Sequence, residues 1–338
     1  MADPVLVEVT RGALVESRHR GAVAVVDAEG GLVLSLGDLD QPVFPRSAVK
    51  ALQVLPLVAE GHADRFGLSA AEIALACASH SGEPAHVATA TAMLAKAGRE
   101  PDCLECGAHW PLDEESARTL VREGARPGPI HNNCSGKHAG FVCLACGLGT
   151  DPAGYVLSDH PVQGKVRAAL EELTGSVHSP DRRGTDGCSI PTYAVPLPSL
   201  AYAFARFGAG VALGGFADAA KRVRAAVAEN PAMVAGRGRF DTRVMEALRE
   251  RVFVKTGAEG VHCAALPELG LGLAVKCDDG AKRGAEAVMA SLVLRFLPVE
   301  GEARALLEAA AAPRLRNWNG IEVGAVRPAG PLTWAGRA

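Results

Sequence analysis

The sequence predicts an α+β fold: an antiparallel sheet built from both chain ends, flanked by helices, with a mainly helical central region. Three observations predict it. Residues 1–44 carry β-branched runs punctuated by glycine. Residues 45–251 carry apolar positions at helical spacing. Beyond residue 252 the strand pattern returns, followed by two apolar helices. No Pro/Ser-rich linker, internal repeat or composition shift divides the 338 residues. They read as a single domain, with a sheet part (1–44 and 252–338) and a mainly helical part (45–251).

The elements follow in order. "VLVEVTRG", "HRGAVAVVDAEG" and "GLVLSLGD" are strand-like, and the last two meet in a tight turn at "EGG". From Pro45 to about Gly61, Val49, Leu52 and Val58 share roughly one helical face. Pro45 suits the first turn, and Pro56 bends or ends the helix. "SAAEIALACASH" opens with Ser69 and Glu72 at capping-box spacing. "EPAHVATATAMLAKAG" is a helix closed by Gly98, and further helices are expected near 114–123, 137–147, 161–174, 216–229 and 240–251. "RVFVKTG", "GVHCAALPEL" and "LGLAVKCDDG" are short strands. "AKRGAEAVMASLVLRFL" and "EARALLEAAAA" are the closing helices.

Apolar residues make up 48% of the chain and charged residues 22%, which fits a chain with ample core. Aromatics are only 4%, so that core must be Ala, Val and Leu. A formal charge of −3 gives no bias towards nucleic acid or an anionic membrane. The N-terminus lacks a basic start followed by an apolar stretch, and no apolar run is long enough for a bilayer. A cytoplasmic location is the expectation. In a reducing compartment the nine cysteines are free thiols or metal ligands rather than a disulfide framework.

Four stretches carry chemistry. In "FPRSAVK", Ser47 and Lys50 are one helical turn apart. Ser47 could cap the helix above a solvated lysine. Alternatively, burial and the helix N-terminus could favour a neutral Lys50 that takes the serine proton. Ser-x-x-Lys is common by chance. Its weight changes with "VFVKTGAEG", where Lys255-Thr256-Gly257 ends an expected strand. Serine β-lactamases and penicillin-binding proteins combine these two motifs in this order. The strand lysine and threonine suit a substrate carboxylate, although a third Ser-Asp-Asn element is not evident. In "PIHNNCSGKHAGF", Cys134, Lys137 and His138 fall at helical spacing, and "RGTDGCSIPTYAVPL" carries Asp186 and Cys188 in a loop. These are either an open zinc site, with lysine an unusual ligand, or small buried hydrophobes. In "CASHSGEPAHV", Ser79 reads as functional, whereas Ser81 reads as an N-cap with Glu83 in the first turn. Cys103-x-x-Cys106 lacks a βαβ redox setting, and Cys143-x-x-Cys146 lies in an apolar helix, where its thiols pack.

Together, "FPRSAVK", "CASHSGEPAH", "CGAHWPLD", "HNNCSGKHAGF", "GTDGCSIPTYAVPL", "VKTGAEGV" and "AVKCDDG" resemble the class 3, rhizobial-type thermolabile L-asparaginase family. The resemblance runs from about residue 5 to 325. It implies a serine β-lactamase/glutaminase-like fold, a homodimer, and hydrolysis of L-asparagine to L-aspartate and ammonia. It implies zinc held by Cys134, Lys137 and Cys188. It matches Ser47, Lys50, Ser79 and Lys255 to catalytic positions, with Lys276 as another candidate for the last. It matches Arg46, His138, Asp186 and Cys188 to positions near substrate and metal. Two other readings have different consequences. A penicillin-recognising serine hydrolase would turn over a chromogenic β-lactam. A non-catalytic amino-acid-binding protein would hold asparagine without releasing ammonia.

Overall fold

The computed structural model describes residues 2–336 of the chain, which forms two compact units. The first draws on residues up to Ala48, on Val195–Ala209 and on the chain from Ala247 onwards. Its centre is an eight-stranded sheet. The strands are β1 (Val5–Arg11), β2 (Leu14–Asp27), β3 (Leu32–Leu36), β4 (Phe253–Thr256), β5 (Val261–Leu266), β6 (Leu271–Cys277), β7 (Arg314–Arg316) and β8 (Glu322–Pro328). The order is β7-β8-β1-β2-β6-β5-β4, with β3 also paired to β2, and every pairing is antiparallel. The sheet is thus made from both chain ends, as the strand-like runs indicate.

Burial explains why those runs are continuous rather than alternating. β2 alternates over its first half, then is buried at every residue from Gly21 to Val26. β5 is buried throughout. Here both sheet faces are covered, so residues of both parities must be apolar. Helices Leu197–Ala209 and Lys282–Phe296 pack on these strands. A methyl group on Gly272 would lie 1.9 Å from the Ala201 carbonyl oxygen, so the first of these helices rests on bare backbone. Phe204, Phe207 and Phe253 form the main aromatic cluster of this unit, with ring centroids 5.2–6.2 Å apart. Full burial of such a ring contributes about 3 kcal/mol.

In this unit two features differ from the expected elements. Helix Leu197–Ala209 belongs to the sheet unit, although its residues fall within the span read as the helical part. Its apolar positions Leu197, Leu200, Phe204 and Phe207 have the right spacing. Pro198 obscures it, but proline is compatible with a first turn. The pair β7 and β8 was also not expected. It is short, arginine-rich at β7 and interrupted by Gly324, so its pattern is weak.

The second unit, Val49–Ala194 with Gly210–Glu246, is mainly helical. At its centre lies Ser135–Leu148, buried on every side from Ser135 to Ala145. Gly136 and Gly140 let it approach Ala70–Ala76 closely. A methyl on Gly136 would sit 2.4 Å from the Leu75 carbonyl oxygen, and one on Gly140 3.3 Å from the Ala76 Cβ. Ser69 and Glu72 form the capping box that their spacing indicates. The helix expected from Pro45 is instead broken into a 3-10 turn, Arg46–Val49, and two short helices, Lys50–Gln53 and Leu55–Ala59. Pro56 lies in the first turn of the last piece and cannot donate the backbone bond that would continue the ladder. The N-cap of Pro84–Lys96 is Glu83, not Ser81. Ser81 Oγ instead donates to the Ala235 carbonyl at 2.8 Å.

Candidate active site

The singled-out residues fall into two groups, one in each unit. In the sheet unit, Ser47 is half-buried in the 3-10 turn Arg46–Val49. Arg46 before it is left-handed, with φ of 50°, a costly conformation for a side chain that size. The Lys-Thr-Gly sequence ends β4, the terminal strand of the sheet. A methyl on Gly257 would lie 2.8 Å from the Pro45 carbonyl oxygen, so the strand end and the approach to Ser47 are adjacent. Lys255 is fully buried, and its Nζ donates to the Thr256 carbonyl at 2.8 Å. Lys276 lies on β6 and donates to the Glu259 carbonyl at 2.9 Å.

In the helical unit five residues converge. Lys50 is 1% exposed. Its Nζ donates to the Ala78 carbonyl at 2.5 Å, to Ser79 Oγ at 2.9 Å and to Cys134 Sγ at 3.1 Å. Lys137 Nζ donates to Cys188 Sγ at 3.0 Å.

Local structure sets up this convergence. Cys134 is the N-cap residue of Ser135–Leu148, so Lys137 projects one turn into the same helix. The turn before it is fixed by Asn132, whose Oδ1 accepts from the Cys134 N–H at 2.8 Å. Cys188 lies in a hairpin whose strands are Arg183–Thr185 and Pro191–Tyr193. The hairpin closes through Asp186 N–H to the Ile190 carbonyl and leaves Ser189 left-handed at φ 75°. Gly187 and Ser189 are exposed while Cys188 turns inward. Asp186, half-buried, is one of the charges acting on Lys137.

The electrostatics follow from the contacts. The hydrogen bond from Cys188 holds Cys134 well below the ordinary thiol range, aided against burial by Lys50 and Lys137. The same bond and burial push Cys188 up. Burial opposes the charge on Lys137, but Cys188 and Cys134 outweigh it and raise its pKa. His138 is held neutral by burial first, then by Lys137 and Lys50. Its Nδ1 shares a 2.7 Å hydrogen bond with the Tyr155 hydroxyl, and its buried Nε2 has no protein partner.

No group of three or more His, Cys, Asp and Glu side chains converges to hold a metal among the described residues. The set here is different: two sulfurs and an amine. It fits zinc by donor type, since zinc accepts thiolate and nitrogen ligands. The partnerless Nε2 of His138, the residue after Lys137, fits a further polar occupant. Binding would require Lys137 to lose its proton.

Several participants carried no distinct sequence signal. Asn133 Oδ1 accepts a hydrogen bond from the Cys134 thiol at 3.3 Å. His80 Nδ1 accepts from the Gly82 N–H, so its Nε2–H donates to Ser135 Oγ at 2.9 Å. The His80 N–H also reaches the Asn133 carbonyl, tying the Ser79 segment to the turn that carries Cys134. Asn133 and Ser135 flank a singled-out cysteine and could have been inferred from "HNNCSGKH". Tyr155 could not, because it meets His138 only in three dimensions.

A buried lysine thus meets both a serine hydroxyl and a cysteine sulfur, an arrangement through which a proton can pass. The family model for L-asparaginase II matches residues 7–328, nearly the whole chain. The protein therefore belongs to the L-asparaginase II family. No curated protein matches it. Among solved structures it is similar to Mglu in its native form, with 18% identity and a TM-score of 0.38 over 84% of this chain and 66% of that one. The chain thus spans about two-thirds of Mglu. It is also similar to a beta-lactamase, Mb2281c from Mycobacterium bovis, with 12% identity and a TM-score of 0.32 over 82% of this chain and 95% of that one. At such scores the likeness is loose, and the α+β architecture rests on the strand pairings themselves. Among the described residues no single helix is long and apolar enough to cross a membrane.

Proposed function

We propose that the protein hydrolyses L-asparagine to L-aspartate and ammonia. The observation that carries this reading is Lys50 Nζ at 2.9 Å from Ser79 Oγ, buried beside Cys134, in a chain of the L-asparaginase II family. Ser47 Oγ attacks the side-chain amide carbon. Lys50 in its neutral form takes the serine proton, and Ser79 relays it. Backbone N–H groups at the 3-10 turn meet the oxyanion, each contributing about 3 kcal/mol. The C–N bond breaks, ammonia leaves with the relayed proton, and an aspartyl ester remains. Water then releases aspartate and restores the serine. Lys255, Thr256 and the backbone at Gly257 receive the substrate carboxylate. Cys134, Lys137 and Cys188 would hold zinc, and His138 and Asp186 would serve the substrate next to these ligands in the chain. Bound zinc supplies positive charge for polar groups of the substrate. Arg46 positions Ser47.

The test is ammonia release from L-asparagine by the parent, Ser47→Ala and Ser79→Ala proteins. Activity in the parent and a loss of about 10³-fold or more in Ser47→Ala is expected. Ser79→Ala should retain a larger residue of turnover and still accumulate acyl-enzyme. No release by the parent with zinc supplied would sink the reading. Full activity in Ser47→Ala would move the nucleophile elsewhere.

A further inference from the structure

The chain contains two Asp-Gly steps, Asp186–Gly187 and Asp279–Gly280. At such a step the glycine has no side chain to shield its amide nitrogen from the preceding carboxyl. The structure treats the two steps in opposite ways. At the second, every reacting group is held by a third residue. Asp279 Oδ2 shares a 2.5 Å hydrogen bond with His19 Nδ1, and its Oδ1 accepts from the Ala281 N–H at 3.0 Å. The Gly280 N–H is turned away to the Cys277 carbonyl at 3.1 Å. At the first, the reacting groups hold each other. The Gly187 N–H donates to Asp186 Oδ1 at 2.5 Å. The carboxyl carbon is bonded to that oxygen, so nitrogen and carbon stand in close contact, as in a near-attack arrangement. The step lies at the tip of the hairpin, with Gly187 exposed and Asp186 half-buried, so water reaches it.

We propose that Asp186–Gly187 is a site of spontaneous isomerisation, at which the chain closes to a succinimide and reopens to isoaspartate. The Gly187 nitrogen attacks Asp186 Cγ. The N–Cγ bond forms, one Cγ–O bond breaks, and that oxygen leaves as water with the amide proton and one proton from solvent. Water then opens the imide and returns the solvent proton. Opening at Cγ restores aspartate. Opening at the backbone carbonyl leaves Gly187 joined through the side chain, with a free carboxylate on the α-carbon. No atom is gained or lost overall and nothing is oxidised. The isomer carries one more methylene in its backbone, two residues before Cys188, and its chemistry is that recognised by a protein-isoaspartate methyltransferase.

The test is peptide mapping of the full-length protein after incubation in heavy-oxygen water, because each opening of the imide leaves one heavy oxygen in the peptide. In the folded protein the Asp186 peptide should take up the label about tenfold or more faster than the Asp279 peptide. Part of it should appear as a second form of equal mass that accepts a methyl group from S-adenosylmethionine through an isoaspartate methyltransferase. In urea the two peptides should be labelled at similar rates, Asp186 more slowly than when folded and Asp279 faster. Gly187→Ala should slow labelling of Asp186 and leave Asp279 as it was. Asn319–Gly320 is read apart, since loss of ammonia changes its mass. Equal labelling of the two Asp-Gly peptides in the folded protein, or labelling of Asp186 that speeds up in urea, would overturn the proposal. Neither reading depends on which amide the protein hydrolyses.

Discussion

Lys50 shows how far a residue's role depends on its neighbours. Its position one turn after Ser47 is evident from spacing, but its acceptors are Ala78, Ser79 and Cys134, far along the chain. Ser79 was singled out as functional without a partner that spacing could supply. The same holds for Lys137 and Cys188, 51 residues apart and 3.0 Å in space. If these two and Cys134 hold zinc, metal analysis of the purified protein should find about one zinc per chain. Cys188→Ser should lower zinc affinity by about tenfold or more, read by competition with a chromogenic chelator. Lys137→Met should weaken it too, since methionine offers no amine. Unchanged affinity in both variants would place the metal elsewhere.

At the scale of elements, small residues decide where helices lie. Only 4% of the chain is aromatic, and close contacts of Gly and Ala do much of the packing that larger side chains do elsewhere. Gly136 is the sensitive case, because it lies between Cys134 and Lys137 and against the Leu75 carbonyl. Gly136→Ala should cost about 1–3 kcal/mol of stability, since backbone must move to admit the methyl. It should also reduce ammonia release beyond what its folded fraction explains, because the moving helix carries Lys137. Gly164 on helix Pro161–Thr174 has open space around its Cα. Gly164→Ala should therefore stabilise by up to about 1 kcal/mol and leave turnover unchanged. Equal effects at the two positions, by thermal unfolding and assay, would contradict the packing described. The spacing of small residues was visible in "SGKHAGF"; which of them bore a neighbouring backbone was not.

For the whole molecule, buried histidines set the acid limit. His80, His86 and His178 are all held below the ordinary histidine value, chiefly by burial. They stay neutral in the folded chain, while the unfolded chain binds protons below about pH 6.5. Their contribution is therefore intact above that value and declines as pH falls below it. For His80, which is fully buried, the slope reaches about 1.4 kcal/mol per pH unit. The carboxyl of Asp113, lowered by hydrogen bonds from Ser116, matters only in a lower window, below about pH 4. Urea midpoints should thus fall between about pH 7 and about pH 5. A His80→Asn protein should show a shallower fall, and a flat parental profile would contradict neutral burial.

The sequence by itself determined the class of fold. Continuous β-branched runs at both ends, and helical periodicity between them, are local patterns imposed by burial on one or two faces. It also marked Ser47, Lys50, Ser79, Cys134, Lys137 and Cys188, because those side chains are unusual in such settings. Weak elements escaped it: helix Leu197–Ala209 behind Pro198, and strands β7 and β8 at an exposed margin. Only the tertiary structure decided that Lys50 meets Ser79 and Cys134, and that Lys137 meets Cys188. Contacts between distant residues arise from packing, as when a helix resting on Gly136 carries Lys137 towards a hairpin tip, and no local periodicity encodes them.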